Sequence, residues 1–317
     1  MAAPASLTEQ FDTLYSTTWQ LMRDEVVDNI FTATPLWFWL SSRQRVRRET
    51  GGRWIGIQLM YAKNTTVKTL GPGGVVDITP QDPITTAKYD WKWLAGSVVR
   101  LFAEDHMNAG QHAIMNLVRA KLKNLELSKI DKLESMGFGD GTGNGGLDFD
   151  GLGNLVSTTA GLTVGGINST TQTWWDNSRR TFVGANGIRK ELTTLYNNVS
   201  IGNDHPTLIL TTQAVMEMYE DTLTNILRIM DNKFGDAGFE AVGFKGGALT
   251  FSPSALTGNA YMLNERYLEL VIEAGADFVM TDWKPIPNQL DRVAQVVTQA
   301  DLVTSNRRMQ GVLTSIA

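Results

Sequence analysis

The sequence predicts a mixed α+β fold, and three observations carry that prediction. Residues 53–61 and 86–101 are rich in aromatic and β-branched side chains, with two-residue alternation in the second. From Glu104 to Met136 a proline-free stretch repeats its apolar positions near the helical period. Beyond it a helix, a strand and a helix follow one another and then several strands close the chain, with no internal repeat.

The first element is helical. Leu7, Phe11, Leu14, Tyr15, Met22, Val26, Ile30 and Phe31 lie mostly three, four or seven apart, which predicts an amphipathic arm with one face in want of a partner. Next, Arg43, Arg45, Arg47 and Arg48 crowd just ahead of Gly51-Gly52. They read either as a solvated extended stretch or as a contact for nucleic acid or an acidic partner.

In the second strand region Tyr89, Trp91 and Trp93 alternate with Lys88, Asp90 and Lys92. Between the strand regions, Asn64 to Pro83 carries Gly71-Pro72-Gly73-Gly74 and Pro80, so the whole is predicted to be a long β-hairpin with an extended tip. Two strands alone have little core and two unpaired edges, so such a hairpin needs support. Its aromatic face packs either on this chain's own body or on a neighbouring subunit.

The helix predicted over about 104–136 is a rod of roughly 45 Å at 1.5 Å per residue, with Gly137 and Gly139 as its stop. Gly139-Asp-Gly-Thr-Gly-Asn-Gly-Gly146 then allows several tight turns. Ile188, Leu192, Leu195 and Val199 mark a helix over 185–199, Pro206–Leu210 a buried strand, and Gln213–Asp221 another helix. Ala248–Phe251, Tyr267–Ile272, Arg292–Val303 and Gly311–Ile316 read as strands, with Met280–Pro287 a proline-punctuated connector.

The composition narrows the function. At 317 residues the chain makes one large domain or two modest ones. Without cysteine there is no disulfide, thiolate nucleophile, iron–sulfur cluster or cysteine zinc site, and three histidines leave little room for a histidine relay. The N-terminus lacks a basic stretch followed by an apolar one, and no run approaches the roughly 18 apolar residues of a membrane span. A soluble protein made in the cytoplasm, with no membrane contact, is expected. The net charge of −5 disfavours a sequence-independent grip on nucleic acid by the whole surface.

No motif for catalysis emerges. Gly141–Gly146 is followed by Leu147-Asp148, without the lysine and hydroxyl of a phosphate loop, and it follows a helix where a dinucleotide fingerprint follows a strand. Asp140, Asn144, Asp148 and Asp150 do not fall in calcium-loop register. His106 and His112 are six apart, on different helix faces. Asp148/Asp150 and Glu217/Glu220 are too ordinary as pairs to assign as acid and base. No enzyme activity, cofactor, catalytic residue or metal ligand is therefore expected.

The order of parts is more informative. An arm, a long hairpin with a Gly/Pro tip, a spine helix ending in Gly139-Asp-Gly-Thr-Gly-Asn-Gly-Gly-Leu147, a small α/β subdomain entered by Pro206-Thr-Leu-Ile-Leu-Thr-Thr212, and strands from Asp291–Val297 to Asn306–Leu313 follow in sequence. This order resembles the major capsid proteins of tailed double-stranded DNA bacteriophages, the Johnson fold, over essentially the whole chain. The resemblance implies an N-terminal arm at 1–50, an extended loop at 51–97 and a peripheral domain at 98–181 completed by returning strands at 262–317. It places the axial domain at 182–261.

It further implies a structural protein that self-assembles as hexamers and pentamers into an icosahedral shell around the phage genome, without sequence-specific DNA binding. The shell would form in the host cytoplasm and become the virion capsid, with a separate scaffolding protein, a portal and a decoration protein as partners. Trp54, Tyr61, Lys63, Lys68, Tyr89, Trp91 and Trp93 in the extended loop, with Arg43, Arg45, Arg47 and Arg48, are the candidate intersubunit contacts. Some members join subunits through a lysine and an asparagine; nothing identifies a partner for Lys63 or Lys68, and no crosslink is predicted. The alternatives are an encapsulin-type nanocompartment shell and, more remotely, a soluble enzyme using the Gly139–Gly146 loop.

Overall fold

The computed structural model describes residues 34–102, 117–223 and 241–316. The predicted helical arm over 7–31, the first part of the spine helix with His106, Gly110 and His112, and residues 224–240 lie outside the described residues. Chain order begins with helix α1 (Pro35–Ser42), then strands β1 (Val46–Glu49), β2 (Trp54–Met60), β3 (Ile84–Asp90) and β4 (Lys92–Arg100). The long helix α2 (Leu117–Phe138) leads through two single helical turns to β5 (Ser178–Thr181). There follow α3 (Ile188–Val199), β6 (Leu208–Thr211), α4 (Gln213–Glu220), β7 (Ala241–Phe244), β8 (Gly247–Phe251), β9 (Ala260–Leu263), β10 (Leu268–Glu273), β11 (Arg292–Thr304) and β12 (Gly311–Thr314).

Two compact units divide these elements. The larger holds 34–92, 134–274 and 300–316 of the described residues, and the smaller holds 93–133 and 275–299.

In the larger unit a six-stranded sheet runs in the order β5-β12-β9-β6-β8-β7. Its centre, Leu208-Ile-Leu-Thr211, is buried at every position, as a strand covered on both faces must be. Helices α3 and α4 lay Leu192, Leu195, Val199, Val215, Met216 and Tyr219 on Ile209, Leu249, Met262 and Leu313. The hairpin β7–β8 turns through Lys245 and Gly246, both at positive φ, the backbone a two-residue turn of matching twist requires. At the head of α3, Glu191 is buried and pairs with Arg180 and Asn186, which hold its carboxyl below the usual range.

Beside it, β1 pairs parallel with β10, and β10 antiparallel with residues 300–304 of β11. Proline at the first position of α1 suits a helix start, and the helix buries Leu36, Trp39 and Leu40 completely. The buried Glu134 side chain accepts from the Leu36 N–H at 3.3 Å and the Ser252 hydroxyl at 3.0 Å, which satisfies one of the free N–H groups at the start of α1.

The glycine-rich segment after α2 is explained by close packing of backbone. A Cβ on Gly151 would stand 2.2 Å from the Met136 carbonyl oxygen, and one on Gly153 2.8 Å from that of Gly139, whose oxygen accepts the Gly153 N–H. Side chains would separate the loop from the orphan carbonyls of the helix end.

Two buried polar groups tie the returning strand region to that loop. Arg307, fully buried, donates to the carbonyls of Leu155 (2.8 Å), Trp175 (3.1 Å) and Asn154 (3.4 Å) and to Asn177 Oδ1 (3.1 Å). Burial pulls its guanidinium down to about 10. Asp301, also fully buried, accepts the N–H groups of Asp150 and Leu302 on one oxygen, while its other oxygen has no hydrogen-bond partner among the described residues. Burial, then the neighbouring Asp150, pushes its carboxyl well above the ordinary range.

In the smaller unit β4 pairs with β11, Val279–Met280 pairs with residues 296–297 and Lys284–Pro285 with residues 292–293. Lys129 on α2 is buried, donating to Thr298 Oγ1 at 2.8 Å and the Val296 carbonyl at 3.1 Å with Phe278 beneath it, and burial lowers its ammonium to about 8.

Replacing Arg307 by Lys keeps the charge but loses the planar fork, so urea unfolding of the purified chain is expected to show a loss of roughly 2–4 kcal/mol. For Asp301 the folded-state carboxyl titrates above its unfolded value, so its contribution is intact at low pH and is lost as pH rises through the unfolded and then the folded value. Asp301→Asn cannot ionise; its melting temperature is expected to exceed the wild type's by more at pH 8 than at pH 4, and a constant gap would refute the assignment.

Candidate subunit-contact surface

The hairpin β2–β3 holds seven cross-strand pairs, from Trp54↔Asp90 to Met60↔Ile84. Because side chains alternate, it has two unlike faces. Ile55, Leu59, Ala87 and Tyr89 are buried on one; Trp54, Gly56, Gln58 and Met60 face out with Ile84, Thr86, Lys88 and Asp90 on the other.

The buried face rests on the chain's own segment 163–175. There Thr163–Val164 and Ile167–Asn168 pair around Gly165-Gly166, and Gly165 accepts the Lys88 N–H at 2.9 Å. Tyr89 is fully enclosed, its hydroxyl donating to the Thr304 carbonyl at 2.9 Å, with burial raising its pKa far beyond the usual phenol value. Tyr61 stacks on Trp174 at 5.6 Å, Trp174 leans on Trp175 at 5.6 Å, and the Trp175 indole donates to the Val164 carbonyl.

The outward face keeps a polar and aromatic character. Lys88 Nζ lies 4.8 Å and Arg53 5.3 Å from the ring of the exposed Trp54, both as cation–π contacts. Trp91, partly buried, breaks the strand between β3 and β4 and donates its indole N–H to the Gly52 carbonyl at 3.1 Å. Trp93, in the smaller unit, is 62% exposed.

Residues 61–83 form the tip, without regular structure and with only local bonds. Asn64 and Asp77 cap turns on Thr66 and Thr79, Thr65 reaches Gln81 at 2.9 Å, and Lys68 pairs with Asp77 at 2.9 Å. The Thr79 hydroxyl, then Lys68, holds the Asp77 carboxyl below the usual range. Lys63 is exposed. Val67, Val75 and Ile78 are 81%, 87% and 90% exposed, a cost to solubility unless something covers them.

The arginine cluster is engaged at home. Arg43 pairs with Glu265 at 3.1 Å, Arg45 with Glu269 at 3.7 Å, and Arg47 with Glu49 at 3.2 Å and Glu269 at 3.7 Å. Arg48, on the opposite side of β1, is exposed. In the Gly139–Gly146 loop Asp140 accepts from the Thr142 N–H and hydroxyl, a local turn, and Lys92 donates to the Gly146 carbonyl at 2.6 Å. Among the described residues no group of three or more His, Asp or Glu could hold a metal, and no helix is long and apolar enough to cross a membrane.

The contacts that hold the hairpin, at Gly165, Trp174, Trp175 and Thr304, form no motif in the sequence. Gly165-Gly166 between Thr163-Val164 and Ile167, three β-branched residues, is a local hairpin signal in the sequence. Arg307, in contrast, carries no local mark of its burial.

No protein-family profile and no curated protein matches the chain. Solved structures do. The capsid asymmetric unit of cyanophage A-1(L) matches with a TM-score of 0.70 at 14% identity, covering 94% of this chain and 97% of that one. The capsid of a native GTA particle matches at 0.64 and 10%, covering 100% of both chains. The SrpI encapsulin complex of Synechococcus elongatus matches at 0.57 and 11%, covering 99% of this chain and 96% of that one. The chain thus has the α+β fold of the phage major capsid proteins, which encapsulin shells share.

Proposed function

We propose that this chain is a major capsid protein, which assembles with its own copies as hexamers and pentamers into an icosahedral shell around double-stranded phage DNA. The observation that carries the reading is the hairpin tip: a long segment with fully exposed Val67, Val75 and Ile78 has no core of its own and becomes stable by lying on another copy. The capsid chains matched over 94–100% of this chain support it.

In this reading 1–50 is the arm, 51–97 the extended loop, 98–181 with 262–317 the peripheral domain, and 182–261 the axial domain. Trp54, Tyr61, Lys63, Lys68 and Trp93 are contacts offered to neighbours. Tyr89 and most of the arginine cluster serve their own subunit first, since Tyr89 is enclosed and Arg43, Arg45 and Arg47 meet carboxylates of the same chain. The net charge of −5 suits a shell that must not clutch its DNA. Assembly takes place in the host cytoplasm with a separate scaffold; a portal and a decoration protein complete the particle. The chain has no catalytic role. An encapsulin-type shell is the second reading, favoured only by the encapsulin match.

Negative-stain electron microscopy and light scattering of the purified chain, alone and with co-expressed scaffold, test the proposal. Closed shells or five- and six-membered rings are expected, and a stable monomer or dimer in the presence of scaffold would overturn it. DNA inside particles isolated from an infection separates the capsid from an encapsulin, which would hold a cargo protein.

A further inference from the structure

We propose that the turn Thr163–Asn168 is a buttress that sets the direction of the hairpin within a single subunit, and that Gly165 is its positioning residue. The consequence for assembly rests on the reading above; the positioning itself does not.

A sheet of two two-residue strands has too little area to be stable for its own sake, so its place in the fold lies in what it touches. Gly165 and Gly166 both have positive φ, 59° and 75°, as a two-residue hairpin turn of this hand demands. Their surroundings differ. A Cβ on Gly165 would stand 3.0 Å from Ala87 Cβ and 3.1 Å from Tyr89 Cζ, whereas one on Gly166 would meet nothing within 4 Å. The absence of a side chain at 165 is therefore what lets the turn close on β3 and its carbonyl reach the Lys88 N–H at 2.9 Å.

The buttress is itself anchored. The Trp175 indole donates to the Val164 carbonyl at 2.9 Å, and the buried Arg307 donates to the Trp175 carbonyl at 3.1 Å. A second support lies at the far end of the strands, where Tyr61 stacks on Trp174 with centroids 5.6 Å apart and planes 23° from parallel. One contact would leave the hairpin free to pivot; two, at either end of its strands, define its line. The exposed tip is thus aimed before any second copy arrives.

The test compares Gly165→Asn with Gly166→Asn in the unassembled full-length chain. Asparagine tolerates the left-handed region, so backbone strain is similar at both positions and only the collision with Ala87 and Tyr89 differs. Hydrogen exchange over 84–90 and limited proteolysis within 61–83 are the readouts, with exchange of the strand at 208–211 reporting that the subunit is folded. Gly165→Asn is expected to speed hairpin exchange roughly tenfold or more with the central strand unchanged, and Gly166→Asn to resemble the wild type. Equal exchange in the two variants would overturn the proposal. Should Gly165→Asn lose the central strand's protection as well, Trp174→Ala removes the second support without touching the turn, and undiminished hairpin protection there would overturn the two-point support. Assembly is scored separately: a loosened hairpin that still yields normal shells would refute the need for aiming, whereas a wild type that never assembles would count against the capsid reading and leave the exchange result standing.

Discussion

A two-stranded hairpin has two faces and two edges and no interior, and much of this subunit is arranged around that deficit. Ile55, Leu59, Ala87 and Tyr89 can be buried only because another part of the chain comes up against them. That part is a loop, which would ordinarily be mobile, and it is made firm by Trp175, Val164 and the guanidinium of Arg307. Beyond Tyr61 this support ends, and apolar side chains stand in water. The supported half of the hairpin is thus packed by the chain itself, and the unsupported half is the part for which the proposed assembly supplies a cover.

Polar groups, more than apolar ones, hold the irregular regions. The loops after α2 are rich in glycine and asparagine and cannot build a hydrophobic seam of ordinary density. Their backbone carbonyls must nevertheless be satisfied once buried. Arg307 satisfies three, and Glu134 receives a helix N-terminus and a serine hydroxyl. Asp301 takes two N–H groups at the cost of a buried acid beside Asp150, with Lys92 acting on both carboxyls and Asp90 on that of Asp150. Such centres are geometrically exacting, since a displaced donor leaves a carbonyl bare. They hold the loops in place although the regular elements around them are short.

The same accounting alters the arginine-rich segment. In isolation it is a basic patch; in the fold it is an edge strand whose guanidiniums meet the carboxylates of the 265–269 region. A charge run ahead of a glycine pair gives no hint of this, because Glu265 and Glu269 lie more than two hundred residues away and only the Arg47–Glu49 pair is local. Partly exposed pairs of this kind contribute little to stability, so their main effect is to neutralise the surface.

Sequence alone was enough for whatever depends on short-range pattern. The strand character of 54–60 and 84–90, the helical spacing of Ile188 to Val199 and the apolar run 208–210 are legible locally, whereas the alternation of Tyr89, Trp91 and Trp93 is not one face, because the strand breaks at Trp91 and Trp93 is exposed. The order of parts, which carries the fold, is legible as well. Tertiary structure decided what depends on distant partners: that Leu36, Trp39 and Leu40 form a buried helix, that Tyr89 belongs to the subunit's own core, and that the glycines at 151 and 153 allow backbone to meet backbone. It alone placed Arg307 among four acceptors and Gly165 against the hairpin. The physical reason is that periodicity reports which face of an element is apolar, whereas the partner of a buried polar atom or a missing side chain is set by chain closure over long separations.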